Sequence, residues 1–308
     1  MSQRSPSRSY NLALNPQIIY AKSQTLPALV SSQIHTQLEF QAVGATYILK
    51  DEKLQKIPSN REDVFADQSL TMRDKRKLMG LLRYVLEEQE EDHDDAVLSD
   101  KLQNHFKLSG ELKSAVLALA LLPTSALDSR FDTTIARLGR HLHSMGYFGP
   151  GLAAVMAKYG GSSEIAQVGC RACAVGGGTY LLGHQVVSIQ SLTDEELSQV
   201  TLSNDVTVRT RYVVASSHDL TLEMLKTLSI QLPPTQPIAR SINIVPRPLE
   251  HLFAPASENA TTPAVAIVMV DGGQIGQAPV YLQIHSEDTA ECPKKQCKSR
   301  SASLIPVP

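Results

Sequence analysis

Residues 159–184 read YGGSSEIAQVGCRACAVGGGTYLLGH, and the character of the whole chain turns on this segment. Glycine clusters at both ends enclose a short apolar stretch that carries one acid, Glu164, and one base, Arg171. A helix here spaces the two by about two turns, so both project from the same face. Gly176, Gly177 and Gly178 are consecutive, whereas a dinucleotide loop needs G-x-G-x-x-G between a strand and a helix. The expected reading is a helix C-cap with close backbone packing. Cys170 and Cys173 form C-R-A-C, a spacing open to a redox pair or half a zinc site, with two small buried helix cysteines as the expected reading. By residue type alone, Glu164 and Arg171 read as an ordinary surface charge pair.

The chain has 308 residues, room for one large domain or two ordinary ones, and 42% of them are hydrophobic, enough for a core. A net charge of −2 gives no bulk pull toward nucleic acid or anionic membrane. The opening MSQRSPSRSYN has no apolar core of a signal peptide, and no apolar run approaches the roughly 18–20 residues of a membrane span. Four cysteines do not make a disulfide framework in a chain this long. A soluble, cytoplasmic protein is expected.

Outward from the glycine segment, the order is β, then α, then β. LEFQAV and ATYILK read as strands with Gly44 as a turn between them, and DEKLQKIP adds a polar turn and a short third strand. From Thr71 the period changes. Met72, Leu78, Met79, Leu82, Val85 and Leu86 share a helical face. The acid run Glu87–Asp95 lacks the glycine and spacing of an EF-hand and reads as a solvated helix end. GELKSAVLALALL after Ser109 is a helix apolar almost all round, stopped by Pro123. Residues 126–145 make another, with Ile135, Leu138, Leu142 and Met145 inward and Arg130, Arg137 and Arg140 outward. Strands return in HQVVSIQ, DVTVRTRYVVAS, ARSINIVPRP, PAVAIVMVD and APVYLQIHS. A helical domain inserted into a β or α/β domain fits this order. Residues 1–9 and the basic, Ser-rich 293–308 read as disordered. No Walker loop, G-x-S-x-G elbow or H-E-x-x-H is present, and the nine histidines are scattered.

Residues 57–85, IPSNREDVFADQSLTMRDKRKLMGLLRYV, resemble a stretch of Rab escort proteins through Pro58, Asn60, Arg61, Asp63, Val64, Phe65, Leu70, Thr71, Lys75, Arg76, Leu78 and Met79. Residues 10–43 resemble the segment that follows the first strand and helix of the wider escort and GDP dissociation inhibitor superfamily. Residues 159–184 are similar to its Y-G-x-x-E-x-x-Q-x-x-x-R-x-x-A-x-x-G-G-x-Y block, with fungal escort proteins the nearest in character. The resemblance spans about Tyr10 to Cys292. It implies an α/β (α+β) fold: a flavoprotein-like domain I with mixed sheets at 10–70 and 146–292, interrupted by a helical domain II at 71–145. The family's N-terminal dinucleotide-fold strand is expected to be missing, and the chain is expected to be truncated at both ends. Two departures fall in the block, Ala166 where a proline is usual and Met156-Ala157 in place of an aromatic-proline pair.

The resemblance also implies a function. Glu164, Gln167, Arg171, Thr179 and Leu181 match positions of the platform that grips GDP-bound Rab GTPases. Such a protein presents new Rabs to the geranylgeranyltransferase heterodimer, shelters the geranylgeranyl lipid in a crevice of domain II, and delivers the product to membrane. The Arg130–Arg140 helix is a candidate docking face for the transferase. No chemistry, metal, cofactor or nucleic acid is implied; the isoprenoid of the bound Rab is a ligand. The rival readings are a GDP dissociation inhibitor recycling prenylated Rabs, a FAD-dependent oxidoreductase sharing domain I, and a fragment without activity.

Overall fold

A computed structural model describes residues 5–14, 17–58, 64, 70–87, 96–192, 197–232, 235–270 and 278–304. Asn60, Arg61, Asp63 and Phe65 of the escort-like stretch, and residues 88–95 of the acid run, lie outside the described residues. The chain divides into two compact units, Met1–Ala172 with Pro237–Pro308, and Cys173–Gln236.

The first unit is built on an eight-stranded sheet. Its strands are β1 (Ile19–Tyr20), β2 (Phe40–Lys50), β3 (Lys53–Lys56), β4 (Ala154–Ala157), β8 (Ile238–Val245), β9 (Val265–Val270), β10 (Val280–His285) and β11 (Cys297–Leu304), and it runs β1-β4-β2-β9-β10-β11-β8 with β3 paired to β2. Among the described residues only β2 and β9 pair in parallel, so the sheet is mixed as expected. VAIVMV of β9 is apolar at every position because it lies buried in the middle of the sheet. β2 is one continuous strand through Gly44, not two strands and a turn. Gly44 is there for space: a Cβ would stand 2.4 Å from the Pro263 ring.

The helical block comprises α2 (Met72–Glu87), α3 (Gly110–Ala120) and α4 (Phe131–Ser144), after the short α1 (Thr25–Ser31). Thr71 and Asp74 form a reciprocal cap at the start of α2, the Asp74 N–H donating to Thr71 Oγ1 at 3.2 Å and the hydroxyl to the Asp74 carboxylate at 2.7 Å. The face α2 buries is Lys75, Leu81 and Val85; Met72 and Leu86, expected inward, are exposed because they fall off that stripe. With Leu98, Leu102, Leu112, Val116 and Leu138 these leucines and valines form the block's core. α4 starts at Phe131, five residues later than expected, because Ser125–Asp128 close a turn first. Arg137, on its exposed face, donates to the Leu121 carbonyl at 3.1 Å and so finishes α3, which ends with Leu121 at φ 48°. α3 lies on the sheet through Ala118, packed with Ile48, Ile57 and Met269, and Tyr281 Oη donates to the Leu117 carbonyl at 2.9 Å.

Two expectations of disorder are corrected. Ser7–Ser9 form a 3-10 turn, and residues 297–304 are strand β11, paired on one side with β10 and on the other with β8. Local sequence gave no sign of this strand, since its partners are distant and its residues polar.

The second unit holds β5 (Val186–Leu192), β6 (Leu197–Leu202) and β7 (Thr207–Thr210) as an antiparallel sheet, with α6 (Leu222–Thr227) capped by Thr221. Its core is Ile189, Val200 and Met224. The strand expected to run on to Ser216 stops at Thr210, whose hydroxyl bonds the backbone of Tyr212 and turns the chain.

Candidate functional site

The segment that opened the sequence reading forms α5, Ser162–Val175, and the turn that launches it is sharply constrained. After β4, Tyr159, Gly160 and Gly161 have φ of 66°, 149° and 64°. At Gly160 the φ of 149° favours glycine, and a Cβ would sit 2.6 Å from both Asn11 Nδ2 and Ser163 Oγ. Asn11 Nδ2 donates to the Tyr159 carbonyl. Lys158 Nζ meets the Glu39 carboxylate at 2.9 Å and Tyr159 Oη donates to it at 3.3 Å. The Lys158 hydrogen bond and charge hold the Glu39 carboxyl below its usual range. On the inner face, Ile165 and Val168 pack with Ile19, Leu29, Leu38 and Val155.

Glu164, Gln167 and Arg171 fall at i, i+3 and i+7, so α5 does bring these three candidates onto one stripe. Glu164 is half-buried; Gln167 and Arg171 are exposed. Thr179 and Leu181 belong to the second unit, in the exposed segment after the helix, where Leu181 keeps 52% of its surface. Cys170 and Cys173 are exposed, not buried as expected. At about 100° per residue they stand roughly 200° and 140° around the helix from Val168, on the side that faces away from the core.

The triple glycine is a C-cap, as its residues suggested. Gly177 has φ 91° and its N–H donates to the Ala174 carbonyl, while the Gly178 N–H donates to Cys173 O at 2.8 Å. A Cβ on Gly178 would stand 2.4 Å from Cys173 Sγ. Gly177→Ala is expected to cost about 1–2 kcal/mol through its left-handed backbone, seen as a lowered midpoint in denaturant. An unchanged midpoint contradicts this reading.

A second candidate lies in the helical block, a cavity of about 490 Å³. Its walls are mostly apolar, among them Leu78, Leu81, Leu112, Val116, Leu119 and Leu138. The polar residues along it, Gln55, Lys56, Arg83, Glu87 and Glu111, are all at the surface. His141 also lines it, edge-on to Tyr20 with ring centres 5.8 Å apart. Burial pulls the His141 pKa down to about 4, which keeps its ring neutral at neutral pH. Among the described residues, no group of three or more His, Cys, Asp or Glu is placed to hold a metal ion, and no helix is long and apolar enough to cross a membrane.

A mixed sheet carrying a helical block with an apolar cavity, and a helix presenting an acid–amide–base stripe, define a flavoprotein-like α/β fold. The model of the family described as GDP dissociation inhibitor matches residues 1–296, and the chain belongs to that family. It is 33% identical over 193 residues to the Rab proteins geranylgeranyltransferase component A of Saccharomyces cerevisiae, a match covering 61% of this chain and 32% of that protein. Its fold is similar to that of a Rab GDI from Plasmodium falciparum, with a TM-score of 0.71 at 16% identity over 100% of this chain and 70% of that one. A putative protoporphyrinogen oxidase from Exiguobacterium sp. 255-15 shares the fold more loosely, with a TM-score of 0.52 at 13% identity over 99% of this chain and 68% of that one. The chain thus spans about a third of the length of the curated relative. At these identities the solved structures establish the fold alone.

Proposed function

We propose that this chain is a Rab-binding protein of the escort type. It recognises GDP-bound Rab GTPases, presents them to the geranylgeranyltransferase heterodimer, shelters the attached isoprenoid and hands the product to membrane from the cytoplasm. It performs no chemistry itself. The observation that carries this reading is the stripe of Glu164, Gln167 and Arg171 on the outer side of α5, in a chain of this family. An acid, an amide and a guanidinium in line offer charge-assisted hydrogen bonds to a switch segment. A surface that bonds the GDP conformation better than the GTP one holds the GTPase in that state. Thr179 and Leu181 are proposed as further contacts, and the apolar cavity of the helical block as the place of the isoprenoid. The exposed arginine face of α4 is proposed as the docking face for the transferase.

The test is capture of unprenylated Rab, loaded with GDP or with a GTP analogue, by the purified chain and by Arg171→Ala. Selective capture of the GDP form is expected. Loss of an arginine at an interface hot spot costs about 2 kcal/mol or more, roughly thirtyfold in Kd. A folded chain that captures neither form refutes the proposal. Capture of prenylated Rab only would favour an inhibitor that recycles Rabs over an escort.

A further inference from the structure

The first unit buries a cluster of charged groups that the proposed function does not use. β10 and β11 pair with His285 opposite Lys298 and Gln283 opposite Arg300, which puts all four side chains on one face of the sheet. Glu291 comes down over them from the β10–β11 connection. His285, Glu291 and Lys298 are wholly buried and Arg300 is 5% exposed. The Glu291 carboxylate accepts from His285 Nδ1 and from Lys298 Nζ through one oxygen, and from Arg300 at 3.2 Å through the other. The far nitrogen of His285, Nε2, is buried without a hydrogen-bond partner.

The same cluster grips the N-terminal segment. Lys298 Nζ donates to the Asn11 carbonyl at 2.7 Å, the Asn11 N–H donates to the Glu291 carbonyl at 3.0 Å, and Tyr10 Oη donates to Gln296 Oε1 at 2.9 Å. Asn11 in turn holds the Tyr159 carbonyl at the entry to α5, and the Tyr159 N–H donates to Thr289 O at 2.9 Å. One buried carboxylate therefore ties together the hairpin, the N-terminal segment and, through Asn11, the launch of the helix.

We propose that this cluster is a proton-operated clasp: protonation of His285 releases residues 9–12 from the hairpin and loosens the start of α5. With His285 neutral, two cations share one carboxylate. A proton on His285 makes it three cations to one, in a place where water does not screen them.

The groups facing His285 are Glu291 from the connection and Lys298 and Arg300 from β11. Burial lowers the His285 pKa, and the Glu291 hydrogen bond and charge do not fully offset it. For Glu291, burial works to raise the pKa, but the hydrogen bonds of His285 and Lys298 and the Lys298 charge outweigh it and hold the carboxyl below its usual range. Burial brings Lys298 down to about 8. Burial also pushes the neighbouring thiols of Cys292 and Cys297 up, to about 11 and about 12. The signs separate the groups. The protonated Lys298 penalty is complete below about 8, and Glu291 begins to take up protons on opening only below the ordinary glutamate range, near 4.3. Between pH 6.5 and 5 the opening reaction is left to His285, whose depressed pKa means that opening takes up a proton. The clasp is then closed above about pH 6.5 and weakens as pH falls, by up to about tenfold per unit.

The experiment is amide hydrogen exchange of the full chain at pH 7.5 and 5, corrected for intrinsic rates, in the wild type and in His285→Asn. Asparagine keeps a donor near the Nδ1 position and cannot take the proton. The expected result is that protection of residues 9–12 and of Tyr159–Ile165 falls at least tenfold at pH 5 in the wild type and stays level in His285→Asn. β9 stays protected at both values. A second variant, Lys298→Met, removes the donor to Asn11 and is expected to expose residues 9–12 at both pH values. Equal loss in His285→Asn, loss at β9 in parallel, or no loss in the wild type each overturns the proposal.

Discussion

Glu291→Gln is expected to lower the stability of the chain by about 3–5 kcal/mol, because it strips the buried Lys298 and Arg300 of the carboxylate they share. A typical folded domain is held by about 5–15 kcal/mol, so the loss is a large share of the whole. A buried ion cluster adds little net stability against apolar groups of the same shape, yet breaking it by removing one partner leaves charge in a low-dielectric place. Lys298 and Arg300 have little room to reach water: the first is wholly buried and the second 5% exposed. The triple change Glu291→Leu, Lys298→Met, Arg300→Leu is therefore expected to be far milder than the single change. Thermal melts by circular dichroism decide it. A midpoint for Glu291→Gln within 2 °C of wild type (about 1 kcal/mol or less at this size) would show that the cluster contributes no such energy. The low Glu291 pKa gives the sign of the acid dependence: its stabilisation is complete above the ordinary glutamate range and is lost as pH falls through the folded value.

The parts of this molecule that its sequence discloses are those with short-range causes. The 3.6-residue period marks α2 and α4, and a run of β-branched residues marks β9. The stripe of Glu164, Gln167 and Arg171 is legible for the same reason, since helical spacing alone aligns it. Gly176–Gly178 disclose a helix end because αL geometry favours glycine. Elsewhere the cause is distant. Gly44 signals a turn in isolation, and only the approach of Pro263, more than two hundred positions away, explains it as a spacing residue inside β2. KSRSAS reads as a tail because its lysine and arginine look solvated; two flanking strands and Glu291 make it an interior strand. The C-R-A-C pair looks buried by residue type, but helix rotation from Val168 turns it outward. The clasp is hidden for the same reason, as its members meet only through the register of β10 with β11 and the return of residues 10–11.

Filling the cavity of the helical block is expected to weaken the isoprenoid binding proposed for it at least tenfold, while leaving the stripe of Glu164, Gln167 and Arg171 intact. Ala115 lines the cavity from α3 and is only partly buried, so Ala115→Trp places an indole into apolar space. Each methylene moved from water into such a place contributes about 0.8 kcal/mol. Displacing even two of them costs about 1.6 kcal/mol, more than tenfold in affinity, and an indole displaces several. The added bulk is expected to strain the core by about 1–3 kcal/mol, so the melting midpoint must be followed alongside. Titration with a fluorescent geranylgeranyl cysteine should then show at least tenfold weaker binding in Ala115→Trp, with GDP-Rab capture through Arg171 retained. Because desolvation holds His141 near pKa 4, its ring stays neutral down to about pH 5, and affinity for the lipid is expected to be level from pH 7.5 to 5. Below that, His141 must be charged against its surroundings, and the stabilisation that its neutral form brings is lost as pH falls from the ordinary histidine range toward 4. Lipid affinity unchanged by Ala115→Trp in a folded protein would place the isoprenoid somewhere other than this cavity.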